Sequence, residues 1–100
     1  MSYTKKVKYY AWDEAKNEKL KTDRKISFED VLKALDQGKE LGRIAHPNQD
    51  RYPNQTLLII DINDYAYMVP YIEDEEKVFF KTIIPSRKAT KIYLRKEVKK

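Results

Sequence analysis

The sequence predicts an α+β domain with two helices near the start, an antiparallel β-meander after them and a short basic helix at the end. The element order is β-α-α-β-β-β-β-α. Three observations lead there. Phe28, Val31, Leu32 and Leu35 form one apolar stripe at helical spacing. Three β-prone runs lie between residues 56 and 84, separated by two short turn signals. The chain closes on a cationic segment. One hundred residues allow a single domain, 1–100.

Taken in order, "VKYYAWD" (7–13) alternates Val7, Tyr9 and Ala11 against Lys8, Tyr10 and Trp12, as a strand does. Asp13 suits an N-cap. The following "EAKNEKLKTDRK" is helix-compatible but polar, with only Ala15 and Leu20 to bury. "ISFEDVLKALDQG" is the clearest element. Ser27 and Asp30 approximate a capping box, Gly38 is placed as a stop, and helix is expected from Phe28 to about Gln37. "GRIAH" is a short strand, and "HPNQDRYPNQ" (46–55) is a loop by content.

"TLLIIDI" starts the meander. Asn63-Asp64 reads as a type I′ turn, since both residues tolerate positive φ. "YAYMVPYI" returns, "EDEE" (73–76) turns again, and "KVFFKTII" is the third strand. Pro70 lacks an N–H and belongs at a bulge or an unpaired edge. Pairing Ile62 with Tyr65 and Ile72 with Lys77 sorts the sheet. One face holds Leu58, Ile60, Tyr67, Val69, Val78, Phe80, Thr82 and Ile84, and should pack on the 28–35 stripe. The other holds Ile59, Asp61, Met68, Phe79 and Lys81. Trp12 and Phe28 belong to the core. From Arg87 a short amphipathic helix should turn Ala89, Ile92 and Tyr93 inward and Lys88, Lys91 and Arg95 outward, with Ser86 as its cap.

Charge and composition narrow the function. The net charge is +5, and residues 87–100 hold seven Lys or Arg against one acid, Glu97. The excess therefore sits wholly in the last segment. That points to an anionic partner: nucleic acid or an acidic protein, with a membrane surface the weakest fit. There is no cysteine, so no disulfide frame and no Cys-based metal site. No apolar run approaches the ~20 residues of a membrane span. The expected compartment is the cytoplasm. One histidine excludes His-pair chemistry, two glycines supply no phosphate-cradling loop, and the acids at 73–76 read as a solvated hairpin tip. No metal or cofactor is implied.

The candidate site is therefore built from cations and single proton-transfer groups. Arg87 opens the last helix, where a guanidinium beside backbone N–H groups suits a phosphate. Its bland alternative is a surface ion pair with a hairpin acid. Lys81 lies six residues earlier and can border the same sheet edge. His46 and Tyr93 are the groups able to move a proton, although Tyr93 most simply packs on the sheet. Lys88, Lys91 and Arg95 attract phosphates as a group. Arg87 is expected to matter far more than Lys88.

Two segments carry a family resemblance. "WDEAKNEKLKTDRKISFEDV" resembles the opening of the BrnT family of bacterial type II toxins. "KTIIPSRKATKIY" resembles its closing strand-to-helix segment. The chain departs from that pattern at Arg24-Lys25, at Lys81 and at Pro85-Ser86, and keeps its Arg as Arg87. Arg51 stands nearest to the family's loop arginine. The resemblance implies a RelE/ParE-like fold and a metal-independent endoribonuclease that inhibits translation. It also implies a cognate DNA-binding antitoxin as partner, with operator DNA reached through that antitoxin. The implied site is Arg87 on the phosphate, Lys81 as second cation or acid, His46 or Tyr93 moving the proton, and Lys88, Lys91, Arg95 and Arg51 on flanking RNA. Two other classes stay open: a non-catalytic binding module, and a structural domain whose charge only confers solubility.

Overall fold

The computed structural model describes residues 8–95. Strand β1 covers Tyr9–Ala11. Val7, where the sequence starts this strand, lies outside the described residues. Asp13 caps helix α1 (Glu14–Arg24), its Oδ1 accepting from the Ala15 N–H at 2.9 Å. Leu20 is buried as expected, but Ala15 is exposed and Asn17 is buried instead. Residues 17 and 20 share a side of the helix at i, i+3, and residue 15 does not. The amide survives at 0 % exposure because both its ends are bonded. Oδ1 accepts from Phe28 N–H and Nδ2 donates to Glu29 Oε1, each at 2.8 Å.

Those bonds tie α1 to the first turn of helix α2 (Phe28–Asp36). Ser27 and Asp30 complete the capping box in both directions. Phe28, Val31 and Ala34 form the buried face, with Leu32 and Leu35 at its margin. Gly38 has φ +74°, the left-handed stop that follows a helix end.

Five strands complete the sheet: β2 (Glu40–Ala45), β3 (Thr56–Ile62), β4 (Tyr65–Glu73), β5 (Lys77–Phe80) and β6 (Ile84–Pro85). The order is β1-β5-β4-β3-β2, with β6 also on β4. β1 runs parallel to β5, and every other ladder is antiparallel. Asn63 and Asp64 both have positive φ, and Ile62 pairs with Tyr65, as a two-residue type I′ turn requires.

The second turn differs from expectation. Ile72 pairs with Phe79 and Glu73 with Val78, so the expected Ile72–Lys77 pairing is displaced by two residues. Asp74 is the cause. Its Oδ1 accepts from the Glu76 and Lys77 N–H groups at 2.8 and 2.9 Å and widens the loop. A slip of two leaves every side chain on its own face, so the sorting of Val78 and Phe80 survives.

The last strand is broken where the sequence expects it to run to Ile84. β5 stops at Phe80 opposite Tyr71, and β6 resumes at Ile84 opposite Met68. Three residues, 81–83, thus face two, 69 and 70, which is a one-residue bulge. Pro70 sits at it and cannot donate to this neighbour, while its carbonyl accepts from Lys81 N–H at 2.8 Å. The extra residue inverts the alternation beyond it. Ile83 enters the core at 0 % exposure, Ile84 is 41 % exposed and Thr82 is only half-buried.

On one face of the sheet, Leu58, Ile60, Val69, Tyr71, Val78 and Phe80 pack against the helices. Phe28, Trp12 and Phe80 form a three-ring cluster, with centroids 5.4, 5.9 and 6.3 Å apart. The other face carries Ile59, Ala66 and Met68 and meets the last segment, helix α3 (Arg87–Ala89) and a π-helical turn over Thr90–Arg95. The sequence expects a regular helix here. In a π turn the repeat lengthens to five, so Leu94 joins Ala89 and Tyr93 on the sheet. Ile92, expected inside, swings out to 57 % exposure. Thr90 pins the turn: its Oγ1 donates to Ser86 O at 2.8 Å and accepts from Ala66 N–H at 2.9 Å. The tail cations Lys96, Lys99 and Lys100 lie outside the described residues. Among the described residues no helix is long and apolar enough to cross a membrane.

Candidate nucleic-acid interface

Where the last segment crosses the sheet it leaves a groove of about 260 Å³. Leu57, Ile59 and Met68 form its floor. Ile44 and Pro47 border one side, and Ser86, Lys88, Ile92 and Tyr93 the other. The groove exists because β2 and the loop after it rise beside β3, while Ser86 starts α3 one strand away. An Ala89 N–H to Ser86 Oγ bond of 3.0 Å sets that start.

Tyr93 is half-buried over Gly42. A Cβ added to that glycine would lie 3.4 Å from the Tyr93 hydroxyl and 3.5 Å from its Cε1. The ring therefore rests on backbone, and its hydroxyl is held at the β2 edge of the sheet. Lys88 lines the same groove. A cation and a phenol beside an apolar floor can hold a phosphate and stack a base, the two elements of single-strand recognition.

The other candidates lie around this groove and not in it. Arg87 is exposed and, among the described residues, forms no ion pair, so neither the hairpin partner nor a preset anion site is built for it. The N–H groups expected to assist it are partly used, since Ser86 takes both Ala89 N–H and Thr90 N–H. Lys81 is exposed in the bulge, its Nζ 5.5 Å from the Phe79 ring centroid. Lys91 is exposed, and Arg95 lies 3.6 Å from Asp64 Oδ2 at the other end of the sheet. Lys88, not Arg87, borders the groove.

His46 belongs to a separate cluster in the 46–55 loop. Its ring lies 4.4 Å from that of Tyr52, and the Arg51 guanidinium sits 5.6 Å from the Tyr52 centroid. His46 Nδ1 accepts from Asn48 N–H at 3.1 Å. This bond places the proton of the neutral ring on Nε2. The loop is braced by its own amides: Gln49 Nε2 donates to His46 O and Gln55 O, and Gln49 Oε1 accepts from Asn54 N–H. Pro47 alone carries this cluster to the groove. Sequence reasoning missed Tyr52 and Gly42. The repeated "PNQ" flanking "DRY" signals a self-bonded loop around Tyr52. Gly42 leaves no local signal, because its partner is fifty residues away.

One strongly bonded cation lies on the opposite face. Arg43 Nε and Nη2 donate to the two Glu40 oxygens at 2.7 and 3.0 Å, and Nη1 donates to the Tyr71 hydroxyl at 3.0 Å. Glu40 chiefly holds this guanidinium charged well beyond its ordinary range. Both fork directions are used, so Arg43 reads as structural. Among the described residues no three His, Asp or Glu groups come together to hold a metal. The chain matches no family model, no curated protein and no solved structure.

Proposed function

We propose that the chain is the toxin of a type II toxin–antitoxin pair, a RelE-like, metal-independent endoribonuclease neutralised by a cognate DNA-binding antitoxin. The observation that carries this reading is the groove in which Lys88 and Tyr93 meet over an apolar floor. The two BrnT-like segments supply the support from sequence. Cleavage by 2′-OH attack needs a proton taken up, charge on the phosphorane neutralised, and a proton given to the leaving 5′-oxygen. Lys88 serves the phosphorane. The Tyr93 hydroxyl, held over Gly42 on the same groove, is the group for proton transfer. The His46 ring, set apart from the groove, offers its Nε2–H to a flanking phosphate. Arg87, Lys81, Lys91, Arg95 and Arg51 hold the strand on either side through its phosphates.

The test is growth arrest on induced expression, rescued by the neighbouring open reading frame, together with RNA cleavage by the purified chain. Lys88→Ala and Tyr93→Phe should each lower the rate on the order of a hundredfold. Arg87→Ala should cost less, through binding alone. A larger loss at Arg87 than at Lys88 would return the phosphate to the helix start. A second reading, a non-catalytic module that binds antitoxin or nucleic acid, is favoured by the position of Lys81 and Arg87 outside the groove. A wild type that neither cuts nor arrests growth, yet binds its neighbour's product, selects that reading.

A further inference from the structure

Among the described residues β2 ends the sheet, with β3 beside it and no strand on its outer side; the opposite end, β1, is three residues long. A strand in an antiparallel ladder turns its backbone groups alternately to one side and the other. His46 N–H bonds inward to Gln55 O at 3.0 Å. Ile44 pairs with Leu57 and Gly42 with Ile59 in the same ladder, so by alternation they bond inward too. The N–H and C=O of Arg43 and Ala45 therefore point out of the sheet. Both residues are exposed, and among the described residues neither backbone has an outward partner. Edges of this kind are ordinarily blocked by bulges, prolines or charges. Here the register shift lies earlier, between Glu40 and Gly42, and Pro47 comes later. Arg43 is the one charge in between, and its guanidinium is folded back onto Glu40 and Tyr71. Residues 42–45 are left as an open, regular edge, with Ile44 46 % exposed beside the groove.

We propose that β2 pairs with β2 of a second copy of this chain, antiparallel about a two-fold axis at Ile44. Two-fold pairing of a strand with itself sets one residue opposite its own copy. Centred on Arg43, the ladder would put like charges face to face. Centred on Ala45, it would put Arg43 opposite Pro47, which has no N–H to give. Centred on Gly42, it would need Leu41, at the register shift, opposite Arg43. Centred on Ile44, Arg43 of each copy meets Ala45 of the other and the two exchange both hydrogen bonds. Ile44 then meets Ile44 as the close, non-hydrogen-bonded pair. No charge faces its like in this register. That self-complementarity selects a second copy over a strand from another protein. The same register sets His46 of the second copy opposite Gly42, on which Tyr93 rests, so each groove is bordered by the other copy's loop. The contact is small, which places the dimer among weak, concentration-dependent interfaces. The pairing stands apart from the ribonuclease reading, and its tests need no RNA.

The test takes the full chain from about 10 μM to about 1 mM in sedimentation equilibrium, with amide hydrogen exchange at both ends of the range. Wild type should pass from monomer to dimer. The Arg43 and Ala45 amides should exchange more slowly at the high end, while the Ile44 amide, already bonded inward, should not change. Each copy carries +5, so raising salt from about 0.1 to about 0.5 M should tighten the dimer. Ala45→Pro removes an outward N–H that the single chain does not use. It should weaken pairing about tenfold or more and change the melting temperature little. Ile44→Lys and Ile44→Glu should each be monomeric, and an equal mixture of the two should pair, because residue 44 meets residue 44. Ile72→Lys, on the same face but on β4, should pair as wild type does. A monomer across the whole range, a dimer indifferent to Ala45→Pro, or no pairing in the charged mixture overturns the proposal. A chain that is monomeric alone and takes another protein's strand on the same amides also overturns it. If Ala45→Pro melts early, the charged mixture decides.

Discussion

The two faces of one sheet are finished differently. The face under α1 and α2 is closed by stacked rings, and Phe28, Ile60, Val69 and Ile83 on it are wholly buried. The face under the last segment is only partly covered. Its cluster is small, a groove runs through it, and Ile44, Ile72, Ile84 and Ile92 remain more than a third exposed. Alternation along the same strands feeds both. The difference teaches that stability is concentrated on one side, which leaves the other free to carry polar groups over apolar ground.

The strongest way to break that contrast is Phe28→Ala. It should cost about 3–5 kcal/mol, because it removes a wholly buried ring from the three-ring cluster. A chemical or thermal melt reads this, and a loss below about 1 kcal/mol would mean the two faces are equals. Asn17→Ala comes next. It leaves Phe28 N–H without its partner in a buried place and should cost about 2 kcal/mol. Asn17→Asp keeps the acceptor for Phe28 but faces Glu29 with a second carboxylate, so it should recover only part of the loss.

On the open face, Gly42→Val should cost less, about 1 kcal/mol. A Cβ alone meets Tyr93 at ordinary contact, and only the added methyl groups push its ring. On the proposed ribonuclease reading, the change should lower RNA cleavage more than it lowers the melting temperature, since it moves the Tyr93 hydroxyl. A fall in stability with full activity would separate Tyr93 from the chemistry. Ile92→Ala, at a 57 % exposed position, should stay within about 0.5 kcal/mol.

The smallest effect is on pH dependence, and it probes the closed face from its rim. The Asn17 amide, first among the causes, holds the Glu29 carboxyl below its ordinary 4.5. A depressed folded value means the stabilisation is complete above the unfolded value and is lost as pH falls through the folded one. Glu29→Gln should therefore lower stability slightly above about pH 4.5 and leave it little changed well below, which makes the acid limb shallower. Melts at pH 3, 4 and 7 check this. Asp74, held low by the Glu76 and Lys77 N–H groups, contributes to the same limb in both proteins, so the comparison isolates Glu29.

Features set by neighbouring residues were legible in the sequence. The Ser27–Asp30 cap, the 28–35 stripe and the Asn63-Asp64 turn each carry their cause within a few positions. Pro70 announced a bulge, but not that the extra residue would fall at 81–83 and bring Ile83 inward. The register of β4 on β5 hinged on one side chain, Asp74, bonding two N–H groups. At the site, Tyr93 and Lys88 were legible as residue types. Their meeting place was not, because Ile44, Pro47 and Gly42 reach it only through the β2–β3 ladder. Arg87 and Lys88 differ by one position, and the start of the turn after Ser86, not composition, decides which of them borders the groove.

The parallel ladder of β1 on β5 has a consequence for how the molecule forms. Tyr9 pairs with Lys77, far along the chain from it, and its N–H bonds to Glu76 O at 3.1 Å. That docking surface is absent until β4 and β5 have been synthesised and paired. Closing so long a loop is slow relative to forming the hairpins. On the ribosome, Tyr10, whose ring stacks on Phe80, must therefore wait uncovered until β5 emerges. The first strand in sequence is the last to lock, and amide hydrogen exchange should find it the first to open.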